Sequence, residues 1–214
     1  MSNIYLSTGN KKLKSSKEVK FLIFNLPAIK TCPFATEHCK ALCYARKAEK
    51  MYPGCLPCRE KNFMESKKES FVNDMTEVIN NYVSRKAYKA AEKIFFRIHE
   101  SGDFYNQEYF DKWVQIAKVF PNVTFLAYTK SVRYVLFTTE IIPENFIIRY
   151  SLWDDTKETE KSLCDCLYLP TYTAEYMTKE KIQSLGDRFC ECKDCGTCRK
   201  CYSNEIHDIV TEIH

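Results

Sequence analysis

Four short apolar runs constrain this chain more than anything else in it. Phe21–Leu26 (FLIFNL), Ile94–His99 (IFFRIH), Val123–Tyr128 (VTFLAY) and Phe146–Tyr150 (FIIRY) are nearly continuous rather than alternating. Such runs read as strands covered on both faces, and helical stretches between them imply crossover connections and a mainly parallel sheet. Thr36–Lys50 has a helical mix of Ala, Leu and Lys. In Asn62–Arg85 the residues Phe63, Phe71, Met75, Val78, Ile79 and Tyr82 recur mostly at three-to-four spacing. Asn106 is placed to cap a helix whose inward face is Tyr109, Phe110, Trp113, Ile116 and Ala117, ending before Pro121. Val132–Thr139 reads as a short helix, Cys166–Leu169 as a fifth strand, and Thr178–Leu185 as a last helix before Gly186.

This pattern leaves two α/β arrangements, an open doubly wound sheet or an incomplete β/α barrel. No GxGxxG or GxxxxGK[ST] occurs in the sequence, which leaves the usual nucleotide-binding folds without support. The expectation is a partial β/α barrel over residues 1–186. A cysteine-rich segment, 187–214, packs on the same domain.

Composition narrows the function classes. Hydrophobic residues make up 45% of the 214, with fourteen each of Phe and Tyr, enough for a proper core. The net charge of +4, from 32 basic and 28 acidic residues, permits nucleic-acid binding without indicating it. No segment is apolar and long enough to span a membrane, and MSNIYLSTGNKKLKSS lacks an apolar stretch of signal-peptide length. A reducing cytosol is the expected compartment. There, clustered cysteines point to metal or redox chemistry ahead of disulfides.

Twelve cysteines are present, and ten fall into two groups. Cys32, Cys39 and Cys43 follow the first apolar run, with Cys55 and Cys58 close behind. Cys190, Cys192, Cys195, Cys198 and Cys201 form the run CECKDCGTCRKC. Its two-residue spacing resembles the bacterial ferredoxin run, in which three thiolates wrap one cubane cluster. Structural zinc more often uses two knuckles separated by a longer loop. Gly196 is read as letting the backbone turn tightly around a metal, and Cys190 and Cys201 compete for the fourth ligand position. Cys39 and Cys43, four apart, share a face if both lie on one helix. Cys55-Leu-Pro-Cys58 is compatible with a redox pair or an extra ligand pair, whereas Cys164 and Cys166 are as consistent with buried or spare thiols.

Polar residues stand where an α/β fold places its chemistry, after the carboxyl ends of strands. His99-Glu100-Ser101-Gly102-Asp103 follows one strand and Tyr128-Thr129-Lys130 another, while Arg149 and Ser151 flank a third. Asp103 and Lys130 are the candidate catalytic groups, and Ser101, Gly102 and Tyr128 the candidate cofactor contacts. The alternative for Ser101-Gly102-Asp103 is a turn with a local Asp cap, and for His99 a hydrogen-bonded core residue.

Three thiols in loop-then-helix order after a first strand resemble the cluster loop of radical S-adenosylmethionine enzymes. Their spacing differs from the CxxxCxxC of that superfamily. TCPFATEHCKALCYA, RIHESGDFYNQEYFDKW, FLAYTK and the late CxxCGxC together resemble the gene product 88 family of bacteriophage proteins. That resemblance implies a phage protein acting in the infected host's cytoplasm. It implies functional roles for Cys32, Cys39, Cys43, Cys192, Cys195 and Cys198, and it supplies no reaction. The resulting expectation is one or two iron–sulfur clusters, [4Fe–4S] or [3Fe–4S], with S-adenosylmethionine as a further candidate cofactor. A small-molecule substrate or redox partner is left unidentified. The rival is a non-catalytic zinc module that contacts host protein or nucleic acid; a pure electron carrier is a third reading.

Overall fold

A computed structural model of the chain describes residues 3–191 and 193–212. Among them, eight strands form one sheet: β1 (Leu6–Ser7), β2 (Val19–Phe24), β3 (Lys93–Ile98), β4 (Val123–Thr129), β5 (Phe146–Leu152), β6 (Thr171–Glu175), β7 (Phe189–Cys190) and β8 (Asp208–Glu212). The spatial order is β1-β2-β3-β4-β5-β6-β8-β7. Only β1 runs antiparallel to its neighbour; every other pair is parallel. From β2 to β6 the order follows the chain without reversing; it reverses only at the end, where β8 lies between β6 and β7. Its edges, β1 and β7, leave the sheet open.

The strands are covered on both faces, and their two-residue period sorts the side chains between two layers. Leu22, Phe24, Phe96, Ile98, Phe125 and Phe146 pack on the helices Phe71–Val83 and Gln107–Val119, through Phe71, Met75, Phe110 and Trp113. Crossovers of one hand along a sequential sheet place their helices on one face, which accounts for this layer. Phe21, Ile23, Phe95, Leu126 and Ile147 face the other way. They are covered without a helical layer by Leu13 from the N-terminal loop and by Cys190, Cys201, Tyr202 and Ile209 from the C-terminal segment. Arg149, on this inner face and fully buried, fastens that segment. Its guanidinium donates to the carbonyls of Cys201, His207, Ser203 and Ile206 at 2.7–3.1 Å.

Several local expectations are corrected. Thr36–Lys50 is two helices, Glu37–Ala41 and Tyr44–Met51, with Cys43 in extended backbone between them, so Cys39 and Cys43 do not share one helix face. Asn62–Arg85 divides at 67–70 into Cys55–Ser66 and Phe71–Val83. Cys166–Leu169 is not a strand. Helix Glu158–Cys166 buries Cys164 against Val132 and Tyr150, Tyr168 turns the chain at φ 50°, and the strand begins at Thr171. Asn106 caps its helix as expected, accepting from Tyr109 N at 2.8 Å.

His99 leaves β3 with φ 63°, a left-handed conformation, and its imidazole is buried with Nε2 2.8 Å from the Tyr109 hydroxyl. Burial, and then the charge of Arg97, depress its pKa to about 3. It is a neutral core residue. Below a pH of about 6.5 the unfolded chain takes up a proton at His99 that the folded chain refuses, so stability falls with pH down to about 3. The expected contribution is about 1.4 kcal/mol per pH unit over that window. His99→Asn, which tolerates the same backbone, should flatten the stability–pH slope by that amount in denaturant titrations at pH 4–7.

Candidate metal and rim site

The loop after β2 brings the first thiol group to the sheet's carboxyl rim. Ile29 takes φ 65°, Thr31 Oγ1 donates to Pro27 O at 2.8 Å, and Cys32 N donates to Ile29 O at 3.0 Å. Thr36 caps the next helix by accepting from Cys39 N at 3.2 Å. Cys32, Cys39 and Cys43 are all half-buried and unbridged. Burial pushes the Cys32 thiol up to about 12, helped by Asp103 and then by Cys39 and Cys43. Burial also raises Cys39, against the opposing pull of Lys130. The three thiols, Asp103 and Lys130 therefore occupy one neighbourhood. Yet the thiols do not all lie within 4.8 Å of one another. Among the described residues, the group of three potential ligands meeting that distance is His38, Asp154 and Asp155.

Asp103 ties this rim together. Its carboxylate accepts from Thr129 Oγ1 at 2.6 Å, Lys130 N at 2.9 Å and Phe104 N at 2.7 Å, and its own N–H donates to Thr31 O at 3.2 Å. Burial raises its pKa while these donors oppose the rise. Ser101 Oγ donates to Leu26 O at 2.8 Å. Gly102 sits at φ +87°, where a Cβ would come within 2.6 Å of both Leu26 Cβ and Thr31 Oγ1. Ser101 and Gly102 thus press the SGD turn against the Cys32 loop. Lys130 is buried, donates to Ser151 Oγ at 2.9 Å and lies 5.5 Å from the Trp153 ring centre.

Tyr128 points to the inner face. Its ring stacks on Tyr172 with centres 4.3 Å apart, and the Arg97 guanidinium lies 3.6 Å from its centre. Burial raises its phenol well above the ordinary value, and Cys201 is a neighbour. The C-terminal run covers this same face. Cys195 N donates to Lys12 O at 2.9 Å, and Asp194 caps the short helix Cys195–Cys198 through Gly196 N and Thr197 N. Cys190 and Cys198 bring their sulfurs to 3.9 Å, and Cys201 is buried. Cys192 lies outside the described residues. Gly196 does not take a left-handed turn; that falls to Arg199, at φ 53°. A Cβ at Gly196 would lie 3.2 Å from Lys14 O and 3.3 Å from Asp194 Oδ1, a tight fit. Cys164 is a buried core thiol pushed up to about 12 by desolvation, and Cys166 is exposed. Cys55 and Cys58 stand in the first turn of Cys55–Ser66, half-buried.

Sequence reading passed over Arg97, a functional candidate on the inner face. The available signal was a single charge inside the apolar run IFFRI, repeated as Arg149 in FIIRY.

A family model described as gene product 88 matches residues 4–204. The chain belongs to the gene product 88 family. Relatives include the Gene 88 protein of Mycobacterium phage L5, 26% identical over 187 residues, covering 78% of this chain and 77% of the relative. The Gene 88 protein of Mycobacterium phage D29 is 26% identical over 188 residues and covers 78% of each. No solved structure matches. No helix among the described residues is long and apolar enough to cross a membrane.

The clamp on the rim makes a direct prediction. Asp103→Ala leaves three buried donors without an acceptor and should lower stability by about 3 kcal/mol or more. Asp103→Asn, which keeps one acceptor oxygen, should cost clearly less. Urea denaturation of both variants checks this, and equal losses would show that the hydrogen bonds are not the cause.

Proposed function

We propose that this protein holds an iron–sulfur cluster at the rim through Cys32, Cys39 and Cys43, leaving one metal position open toward a small substrate. The observation carrying the reading is the donor set itself: three unbridged, half-buried thiols gathered beside a buried lysine. A single zinc with sulfur ligands at about 2.3 Å would draw its sulfurs to roughly 3.8 Å. Thiolates at the corners of a larger cluster stand further apart. Such a cluster supplies electron delivery or Lewis-acid activation of a bound group. The chain's own residues have separate tasks in this reading. Asp103 fixes the Cys32 loop against the end of β4. Lys130, between Cys39 and Ser151, offsets thiolate charge and offers a cation to a substrate. The sequential order of β2–β6 supports the finer reading of a partial barrel akin to radical S-adenosylmethionine enzymes.

A second metal centre, in the C-terminal run, is favoured by a different observation. Cys190 and Cys198 stand 3.9 Å apart, close to the edge of a tetrahedral zinc–thiolate site of roughly 3.8 Å. Zinc suits that pair better than cubane corners.

Metal and acid-labile sulfide analysis of anaerobically purified protein tests both parts. The expected result is brown protein with roughly three to four irons and matching sulfide, together with zinc. Cys43→Ser should lose the iron and keep the zinc, whereas Cys198→Ser should do the reverse. Colourless protein containing zinc alone would sink the cluster and leave the non-catalytic zinc module. For the finer reading, S-adenosylmethionine added to the reduced protein should perturb its paramagnetic resonance signal. An unchanged signal would remove the cofactor and leave the cluster standing.

A further inference from the structure

We propose that the inner face, between the two thiol groups, carries an oxyanion-binding site built on Arg97 and Tyr202. Its ligand would be a small molecule bearing a carboxylate or phosphate. This names the substrate class for the site proposed above and rests on that reading only for the ligand's role as substrate; the binding itself does not require a metal.

Arg97 is in register with Ile23 and Leu126 and only 9% exposed. A buried guanidinium is costly unless an anion or several acceptors meet it. Its Nε donates to His99 O at 3.1 Å, and its face lies on the Tyr128 ring. Among the described residues the two terminal nitrogens have no hydrogen-bond partner, and they still reach solvent. Other buried cations are met differently. Arg59 pairs with Glu49 at 2.8 Å, and Arg149 is surrounded by carbonyls. Among the described residues, no carboxylate approaches Arg97 within ion-pair distance. The nearest acidic influence, Glu100, has its carboxylate engaged by Asn10.

Tyr202 supplies the second, independent observation. It is only 8% exposed, lies tilted against Phe95 with ring centres 4.3 Å apart, and its buried hydroxyl has no hydrogen-bond partner among the described residues. Its titratable neighbours are Arg97, the thiols of Cys195 and Cys201, and Glu100. Tyr44, next in sequence to Cys43, is 62% exposed and shares the surroundings of Arg97 and Glu100, donating to Glu100 O. Tyr44 thereby links the surroundings of Arg97 to the first thiol group. Donors without acceptors beside a cation select an anion. Guanidinium nitrogens in a fork match a carboxylate or phosphate in pairs. Tyr128 and Tyr172 add an aromatic wall for a planar body.

Calorimetric titration of the full chain with inorganic phosphate and, separately, with benzoate tests the site and distinguishes the two oxyanions. At least one should bind with a stoichiometry of one. Arg97→Gln should weaken that binding roughly ten- to hundredfold, as loss of charged hydrogen bonds does. Tyr202→Phe removes a hydroxyl that holds nothing else, so its fold should survive, and it should weaken binding roughly three- to tenfold. Absence of binding by both oxyanions would overturn the proposal. So would wild-type affinity in a folded Tyr202→Phe. Metal analysis of the same samples keeps the questions apart: oxyanion binding by metal-free protein would support this site while the cluster reading failed.

Discussion

The Asp103 carboxylate is the contact on which the rim depends. One side chain gathers the loop after β3, the end of β4 and, through its own backbone, the Cys32 loop after β2. Three strands that are neighbours in the sheet are thereby tied at their carboxyl ends. A carboxylate buried this deeply is tolerated because each approach is made by a donor. Gly102 is the price of the geometry, since no side chain fits between the SGD turn and the Cys32 loop. The candidate catalytic residue is thus also the clamp that sets where the thiols stand.

Charge on the inner face follows a different rule. Arg97 and Arg149 project from adjacent parts of β3 and β5 into a layer made of tyrosines, thiols and backbone carbonyls. Arg149 is saturated by carbonyls and serves as a fastener for the chain around Cys201. Arg97 is stacked and only partly hydrogen-bonded. Equal residues in similar strand settings therefore do unequal work, because the carbonyls of the C-terminal segment turn onto Arg149, whereas that segment brings the Tyr202 ring near Arg97.

Much of the fold was legible. Every long apolar run became a parallel strand, since continuous apolar sequence has few other uses in a sheet covered on both faces. Asn106 was readable as a cap because capping is local chemistry. The misreadings came where tertiary contacts override local pattern. Ala, Leu and Lys in Thr36–Lys50 favour one helix, but the chain breaks at Cys43, where the third thiol meets the rim. Leu167–Leu169 looked like strand, yet Cys164 anchors the preceding turn as helix against Val132 and Tyr150. Gly196, read as easing a tight turn, lies in a short helix packed closely against Lys14 O. That contact joins residues remote in sequence and leaves no local trace.

By itself, the sequence determined the α/β class, the grouping of the thiols and the strand-end positions of Ser101, Gly102, Asp103, Tyr128 and Lys130. These follow from periodicity and composition, which act within a few residues. Only the tertiary structure decided which of those residues meet. It sent Tyr128 to the inner face, beneath Arg97, and Asp103 into the clamp. It also set the first thiol group at the carboxyl rim beside Asp103 and the C-terminal run over the inner face. Those assignments depend on strand order and on what covers each face, and both are products of long-range packing.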